Sequence, residues 1–189
     1  MKYLLLIAAG LAVGLLIVGC QSTRAGYESA PYGVLKTDGK FELRDYPALL
    51  VIETPMAAGK DNGFMRLFRF IGGANSEQQK IAMTTPVFMS REPTRQTMAF
   101  VLPEKLKSDG APKPTNPDVT LRELPPGRFA VLRFSGGQKA KNEAEALERL
   151  RTWMRSQELK TSTEPVFAYF DPPWTPSFWR RNEVMLRLD

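Results

Sequence analysis

The chain has 189 residues, a formal net charge of +6, one cysteine and no histidine. A single cysteine cannot form an intrachain disulfide, and without histidine the chain lacks the commonest metal ligand and the commonest general base. The sequence also contains no nucleophile elbow, phosphate-binding glycine loop or dinucleotide fingerprint. We therefore expect a binding protein, not an enzyme, with no metal site. The basic residues are scattered, which argues against nucleic acid and suits an anionic small molecule or membrane surface.

Residues 1–19 are typical of a bacterial lipoprotein signal peptide. Lys2 is followed by an apolar run that ends at Cys20, which would be lipidated and become the mature N-terminus. The alternative is a single transmembrane anchor, because the run approaches the ~20 residues that a span needs. The residue after Cys20 is Gln21 and not aspartate, which resembles the pattern that sorts lipoproteins to the outer membrane. We expect a cell-envelope protein that is lipid-anchored to the periplasmic face of that membrane.

The remainder predicts a flexible tether over residues 20–33 and one folded domain over residues 34–189. Within the domain, Glu42–Pro47 (ELRDYP) is echoed by Thr120–Pro125 (TLRELP), and an apolar strand, a helix and further strands follow each copy. The predicted fold class is α+β, with two pseudo-repeated strand–strand–helix–strand–strand halves. Together they would form a mainly antiparallel, distorted barrel-like sheet with two outer helices. The loop over residues 105–118 would join the halves.

Both predicted helices are amphipathic. The first spans about residues 61–71, and its core-facing stripe is predicted to be Phe64, Leu67, Phe68 and Ile71. The second spans about residues 139–157. Its predicted buried side chains are Ala144, Leu147, Leu150 and Met154. Three of its carboxylates are interpreted as surface ion-pair partners and not as an acid–base pair: Glu143, Glu145 and Glu148. Met83 and Met89 are interpreted as core residues of a following strand.

The C-terminal segment that begins at Asp171 combines aromatic rings, prolines and arginines. Its prolines predict a rigid surface loop that leads into a final strand. Flat apolar rings beside fixed positive charge suit a planar, apolar, anionic ligand. The plain alternative is a loop whose tryptophans cover a sheet edge.

Five segments in order resemble the SOUL heme-binding protein family, with coverage from about Tyr32 to the end of the chain. They are Gly63–Asn75, Lys80–Val87, Phe100–Pro103, Arg133–Gly136 and the tail from Asp171. The resemblance implies a fold of the kind described above and non-covalent binding of heme or another tetrapyrrole in an apolar groove. Since some relatives hold iron through a histidine, this chain would have to resemble those that bind the porphyrin without one. Methionine or tyrosine would be the remaining axial ligands.

We expect the groove to lie between the outer face of the first helix and the C-terminal loop. Met65 would touch the ring, with Arg66 and Arg69 near the propionates. The other side would be formed by Trp174, Phe178 and Trp179, with Arg180 or Arg181 as a second anion contact. The main rival is an envelope interaction protein that uses the same loop to bind a protein partner or a lipid surface. A third hypothesis is that the groove binds another flat hydrophobic molecule.

Overall fold

The computed structural model describes residues 26–56, 62–92 and 95–189. In this part of the chain the strands are β1 (Glu28–Ser29), β2 (Gly33–Asp38), β3 (Phe41–Tyr46), β4 (Leu49–Pro55), β5 (Thr84–Thr85), β6 (Val87–Arg91), β7 (Gln96–Val101), β8 (Thr120–Leu124), β9 (Gly127–Phe134), β10 (Val166–Tyr169) and β11 (Asn182–Arg187). The helices are α1 (Gly63–Ile71), α2 (Lys105–Asp109) and α3 (Ala140–Ser156), with a 3₁₀ turn over Ser177–Trp179.

One antiparallel, curled sheet forms the body of the described structure. Its strand order is β2-β3-β9-β11-β10-β6-β7-β4-β8, and β1 pairs with β5 in a separate, short parallel ladder. The predicted fold class is confirmed, including the distorted barrel-like sheet and the two long outer helices.

The strand register shows the internal repeat directly. Arg44 on β3 lies opposite Phe129 on β9. In the corresponding place of the other half, Arg122 on β8 lies opposite Val51 on β4. Each half thus lends its first strand to the other half, and the antiparallel β6–β10 pair lies on the pseudo-twofold axis at the centre. The short echo in the sequence therefore marks equivalent strands.

The two long helices lie on the same face of the sheet. α1 packs on β4 and β7, whereas α3 packs on β9 and β11. Each covers its own hydrophobic cluster, built around Leu67 and Phe70 for α1 and around Leu150 and Trp153 for α3. The opposite, concave face carries a third cluster, which includes Val131. Because β6 lies between the strands that the two helices cover, its side chains Val87, Met89 and Arg91 stay partly exposed, and this strip of the helical face forms a shallow groove.

The buried face of α1 differs from the predicted stripe. Leu67 and Ile71 are buried as expected, but Phe64 and Phe68 are 41% and 46% exposed. Phe70 takes their place in the core at 2% exposure. The prediction was wrong for the two exposed rings because the helix turns its Leu67–Phe70–Ile71 side towards β4 and β7.

The buried face of α3 also differs from the predicted one. Leu150 and Met154 are buried and Leu147 packs against the same cluster, as predicted, but Ala144 is exposed. Glu143 is buried instead, so it is not a surface ion-pair partner. A buried carboxylate requires partners, and Glu143 finds them in Arg91 of β6 and Tyr169 of β10.

The folded part begins earlier than residue 34. Glu28 pairs with Thr84, and both Ser29 and Ala30 are buried. The loop over residues 105–118 also contains the short helix α2. The predicted signal peptide and Cys20 lie outside the described residues. Within the described residues, no helix has the length and apolar character of a membrane span.

Candidate functional site

The groove between α1 and α3, called the interhelical groove below, has a floor made by β6. Val87, Met89 and Arg91 on this strand are partly exposed. Met89 packs against the hydrophobic clusters of both helices, in agreement with its expected packing role, and Met83 packs against the α1 cluster. The floor is therefore mainly apolar, with one arginine at its end.

The wall on the α1 side is aromatic. The rings of Phe64 and Phe68 stack at a centroid distance of 5.9 Å, and Phe64 meets the edge of Phe100 at 5.2 Å. Met65 lies beside them and is 43% exposed. Three neighbouring apolar side chains at the surface of one helix form a patch that suits the face of a flat, apolar ligand. We call this set the α1 patch.

Arg66 and Arg69 lie on the other flank of α1. Arg66 donates from Nε to Oγ1 of Thr54 at 2.8 Å and from Nη2 to the carbonyl oxygen of Pro55 at 2.6 Å. Arg69 is exposed, and the two arginines line a recess of about 350 Å³ with the loop over residues 114–117. The structure thus places Met65 with the aromatic patch and the two arginines on the side that faces the joint between the halves.

A buried asparagine fixes the end of α1. Asn75 Nδ2 donates to the carbonyl oxygens of Phe70 and Gln79, at 3.0 and 2.7 Å. Its Oδ1 accepts from the backbone N–H of Glu77 and of Gln79. All four bonds of one amide side chain close the turn after the helix, so the orientation of the α1 patch is set by the turn that follows it.

The C-terminal loop over residues 171–181 presents its aromatic rings to solvent. Trp174 is 80% exposed, and Phe178 and Trp179 are each 67% exposed. The rings of Phe178 and Trp179 lie 5.0 Å apart. Arg180 braces the loop from within, since it donates to the carbonyl oxygens of Thr175, at 2.7 Å, and Pro173. The predicted ring-binding side chains therefore stand together on a braced loop and do not cover a sheet edge as buried residues would.

Arg181 is buried below this loop. Its Nε and Nη2 donate to Oε1 of Glu183 at 2.9 and 2.7 Å, and its guanidinium lies 4.1 Å from the centroid of the Phe170 ring. Burial lowers the pKa of Arg181, but the carboxylate of Glu183 and the hydroxyl of Tyr32 outweigh it and raise the pKa. Arg181 therefore holds the base of the loop to β11, while Arg180 organises the loop itself.

A second polar cluster lies on the floor of the interhelical groove. Arg91 Nη2 donates to Glu143 Oε1 at 2.8 Å, and the hydroxyl of Tyr169 donates to the same oxygen at 2.6 Å. Burial raises the pKa of the Tyr169 phenol, and the carboxylate of Glu143 raises it further. Since Tyr169 is 4% exposed, its neutral hydroxyl acts as a fixed donor that orients Glu143. This cluster ties α3 to the sheet centre.

The sequence reasoning missed three side chains of this region: Phe64, Phe68 and Arg91. The aromatic character of Phe64 and Phe68 was visible, but the helical pattern assigned both to the core. Arg91 ends strand β6 without a local motif, and its partner Glu143 lies 52 residues away. Spacing within one segment does not reveal such a contact.

The candidates for an axial ligand to heme iron are restricted. Tyr46 accepts a hydrogen bond from Arg44 at 3.0 Å and is 6% exposed, Tyr169 is bound to Glu143, and Tyr32 accepts from Arg181 at 3.2 Å. Among the described residues no cluster of three or more His, Cys, Asp or Glu is placed to hold a metal ion. Met65 is the exposed side chain with a potential iron-binding atom in the α1 patch. The donor set thus fits a porphyrin held by ring contacts more than by a strong iron bond.

Several solved structures share the fold at low identity. The C-terminal domain of EcmrR aligns with 79% of this chain and 96% of that domain, with a TM-score of 0.59 and 11% identity. A hydrolase from Listeria innocua aligns with 82% of this chain and 94% of its own, with a TM-score of 0.60 and 9% identity. At these identities the likeness concerns the fold alone.

Sequence relatives are closer. The chain is 27% identical over 156 residues to heme-binding protein 1 of Xenopus laevis, which covers 76% of this chain and 81% of that protein. It is 29% identical over 171 residues to heme-binding protein 2 of Mus musculus, which covers 83% and 82%. The family model of the SOUL heme-binding protein matches residues 27–187, nearly the whole described structure. The protein therefore belongs to the SOUL heme-binding protein family.

Proposed function

We propose that this protein binds heme or another tetrapyrrole non-covalently and without a histidine ligand, as a carrier or buffer and not as an enzyme. The observation that carries the proposal is the α1 patch, where two stacked phenylalanines and Met65 stay at the surface of a helix that buries other apolar residues. The aromatic side chains of the C-terminal loop supply a second apolar surface. The relatives named for heme binding and the family match support the same ligand.

Ring burial supplies enough free energy for reversible binding. If a porphyrin buries on the order of 400 Å² of apolar surface, ~25 cal/mol/Å² gives roughly 10 kcal/mol. Lost translational and rotational freedom costs about 4 kcal/mol or more. The remainder, about 6 kcal/mol or less, corresponds to a dissociation constant of about 40 μM or weaker, and such binding would tolerate different central metals.

The anionic edge of the ligand requires cations near an apolar surface. Arg69 is exposed on α1, so we propose this side chain as the propionate contact. Arg66, Arg180 and Arg181 already hold protein groups and would act by keeping α1 and the loop in position.

We further propose that the protein works in the cell envelope, held to the outer membrane through lipidated Cys20. The leader sequence supports this, and strand β1 begins eight positions after the cysteine, at Glu28. A tethered binding protein would keep porphyrin close to the membrane.

The test is a titration of the anchor-free chain, Ser22–Asp189, with ferric heme and with metal-free protoporphyrin. All three core clusters are formed by residues from Ala30 onwards, so this chain retains its folding core. We expect saturable one-to-one binding of both ligands with similar affinity, followed by absorbance and tryptophan quenching, and no spectrum of six-coordinate low-spin iron.

Met65→Ala/Arg69→Ala should weaken both titrations, while a matched control on a distant edge strand, Val34→Ala/Lys36→Ala, should leave them unchanged. Absence of saturable binding by the unmodified chain would refute the porphyrin proposal and favour an interaction protein with the same fold. Competition by unrelated flat dyes but no response to porphyrin would identify another hydrophobic ligand.

A further inference from the structure

The aromatic side chains of the C-terminal loop are more exposed than the lining of a small-molecule binding site needs to be. The structure leaves Trp174, Phe178 and Trp179 at least two-thirds exposed while bracing the backbone that carries them. Backbone bonds add to the bracing, since Arg181 N donates to Asp171 and Gly136 N donates to the carbonyl oxygen of Ser177. A stiff loop that holds indole and phenyl rings outward is the arrangement that favours the lipid–water interface, where amphipathic aromatic rings partition.

The position of the loop in the fold supports this reading. The loop leaves the sheet after Tyr169, which lies opposite Val87 at the start of β6. Two residues before Val87, Thr85 pairs with Ser29 of β1. The first described residues of the chain therefore run at the same end of the sheet as the aromatic loop. Tyr32 of this N-terminal segment also accepts a hydrogen bond from Arg181 at the base of the loop.

Only a short stretch of chain connects the apolar run to β1. The apolar run ends at Gly19, and residues 20–25 separate it from the described structure. Six residues span at most about 22 Å when fully extended. A leader or lipid held in a bilayer would therefore keep the aromatic end of the domain close to the headgroups.

Positive charge near the loop also favours a lipid bilayer as the partner. Lys139 and Lys141 are exposed at the start of α3, immediately after the segment that the loop contacts through Gly136. Arg180 adds a third cation within the loop. Basic side chains next to interfacial aromatic rings suit a bilayer that contains anionic lipid.

We infer that the aromatic loop is a membrane-contact surface, whose Trp174, Phe178 and Trp179 side chains enter the headgroup region of a lipid bilayer. This goes beyond porphyrin binding, and it predicts that the domain binds membranes without its anchor. The interaction would orient the tethered domain with β1 towards the bilayer.

The test uses the anchor-free chain, Ser22–Asp189, without porphyrin. Vesicles of phosphatidylethanolamine and phosphatidylglycerol, with and without brominated acyl chains, are sedimented with the protein and followed by tryptophan fluorescence. We expect binding with quenching by bromine of Trp174 and Trp179, read in the variants Trp153→Phe/Trp174→Phe and Trp153→Phe/Trp179→Phe. Trp153 is 7% exposed in the core, so the variant Trp174→Phe/Trp179→Phe should show no quenching.

Trp174→Ser/Phe178→Ser/Trp179→Ser should weaken vesicle binding about tenfold or more. The matched control, Val34→Ser/Leu35→Ser, removes exposed apolar side chains from edge strand β2 and should bind within about twofold of the unmodified chain. Circular dichroism verifies that each variant is folded.

Equal sedimentation of the unmodified chain and the loop variant, or no bromine quenching at either loop tryptophan, would overturn the inference. Loss of a co-purifying protein from the loop variant, with vesicle binding absent throughout, would assign the loop to a protein partner. Porphyrin titration of the same variants is a separate measurement, so failure of one proposal is distinguishable from failure of the other.

Discussion

Arg44 and Glu183 form a two-pronged ion pair across β9, with Nη1 2.7 Å from Oε2 and Nη2 3.0 Å from Oε1. Both side chains have no exposed surface. Arg44 also donates to Tyr46 and lies over the ring of Tyr32, at 4.1 Å from its centroid. The pair joins the first strand of one half to the last strand of the other, so the exchange of strands between the halves is held by buried charge as well as by backbone bonds.

Removal of one charge from this pair should be costly. Arg44→Met leaves the carboxylate of Glu183 buried with fewer donors, and we expect a loss of about 3–5 kcal/mol in the free energy of unfolding. The double variant Arg44→Met/Glu183→Leu removes both charges and should recover part of that loss. Urea denaturation of the anchor-free chain measures each value.

The matched control is the exposed pair of Arg128 and Asp45, at 3.1 Å. Arg128→Ala should cost less than about 1 kcal/mol, because solvent screens that pair. If Arg44→Met were no more costly than Arg128→Ala, the buried pair would not have the structural role assigned to it.

Acid should remove the contribution of Glu183. Burial by itself raises the pKa of this carboxyl, but the hydrogen bonds and charges of Arg44 and Arg181 outweigh burial and hold the pKa below its ordinary value of 4.5. A depressed folded-state pKa stabilises the fold above the unfolded-state value, and this stabilisation is lost as the pH falls through the folded-state value. We therefore expect the stability difference between the unmodified chain and Glu183→Gln to be constant from about pH 5.5 to 7 and to shrink below about pH 4.5.

Equilibrium urea curves at stepped pH values check this expectation. Asp45→Asn, which alters an exposed carboxylate, is the reference for general acid effects. Circular dichroism of the same samples records whether the protein stays folded at each pH. If it is folded down to pH 3 and the stability difference between the unmodified chain and Glu183→Gln stays constant, the pKa of Glu183 is not depressed.

The repeat was predictable from sequence, whereas its consequences were not. The echo of Glu42–Pro47 in Thr120–Pro125 predicted equivalent strands, and the register confirms them. Local sequence, however, does not encode which strand lies next to which. The partner of Arg44 is 139 residues away. Arg181 was predicted as a ligand contact, and the structure shows it buried and donating to the same carboxylate, that of Glu183.

The surface of α1 shows a second limit of sequence reasoning. Phe64, Phe68 and Phe70 support two overlapping apolar stripes, and either would satisfy a helical period. Contact with β4 and β7 selects the stripe that contains Phe70, which releases the other two rings to the surface. Tertiary packing thus converted predicted core residues into the aromatic wall of the candidate site.

Alkaline pH should destabilise the fold in part through ionisation of Tyr169. Burial and the neighbouring carboxylate of Glu143 raise the pKa of this phenol above its ordinary value of 10.0. A raised folded-state pKa gives stability that is complete below the unfolded-state value and is lost as the pH rises towards the folded-state value. The free energy of unfolding should therefore decline from about pH 10 upwards, and Tyr169→Phe should flatten part of that decline although it is less stable at pH 7.

Urea denaturation between pH 8 and 11 provides the measurement. Tyr27→Phe is the control, because that phenol is partly exposed at the edge of the described structure. An equal slope for Tyr169→Phe and the unmodified chain would show that Tyr169 ionises equally readily in the folded and unfolded states.

The exposed rings of the α1 patch should matter for ligand binding more than for stability. Phe68 is 46% exposed and stacks on Phe64, which is also exposed, so Phe68→Ser should lower the free energy of unfolding by less than about 1 kcal/mol. The same change removes apolar surface from the proposed porphyrin contact and should weaken protoporphyrin binding about tenfold. Leu67→Ala, one residue away but fully buried, should show the opposite pattern, with a loss of about 2–5 kcal/mol in stability and near-normal affinity of the folded fraction. Porphyrin titration beside urea denaturation separates the two effects. If Phe68→Ser left porphyrin affinity unchanged, α1 would not form a wall of the site, and the recess between Arg66, Arg69 and the joint loop would be the next surface of this helix to test.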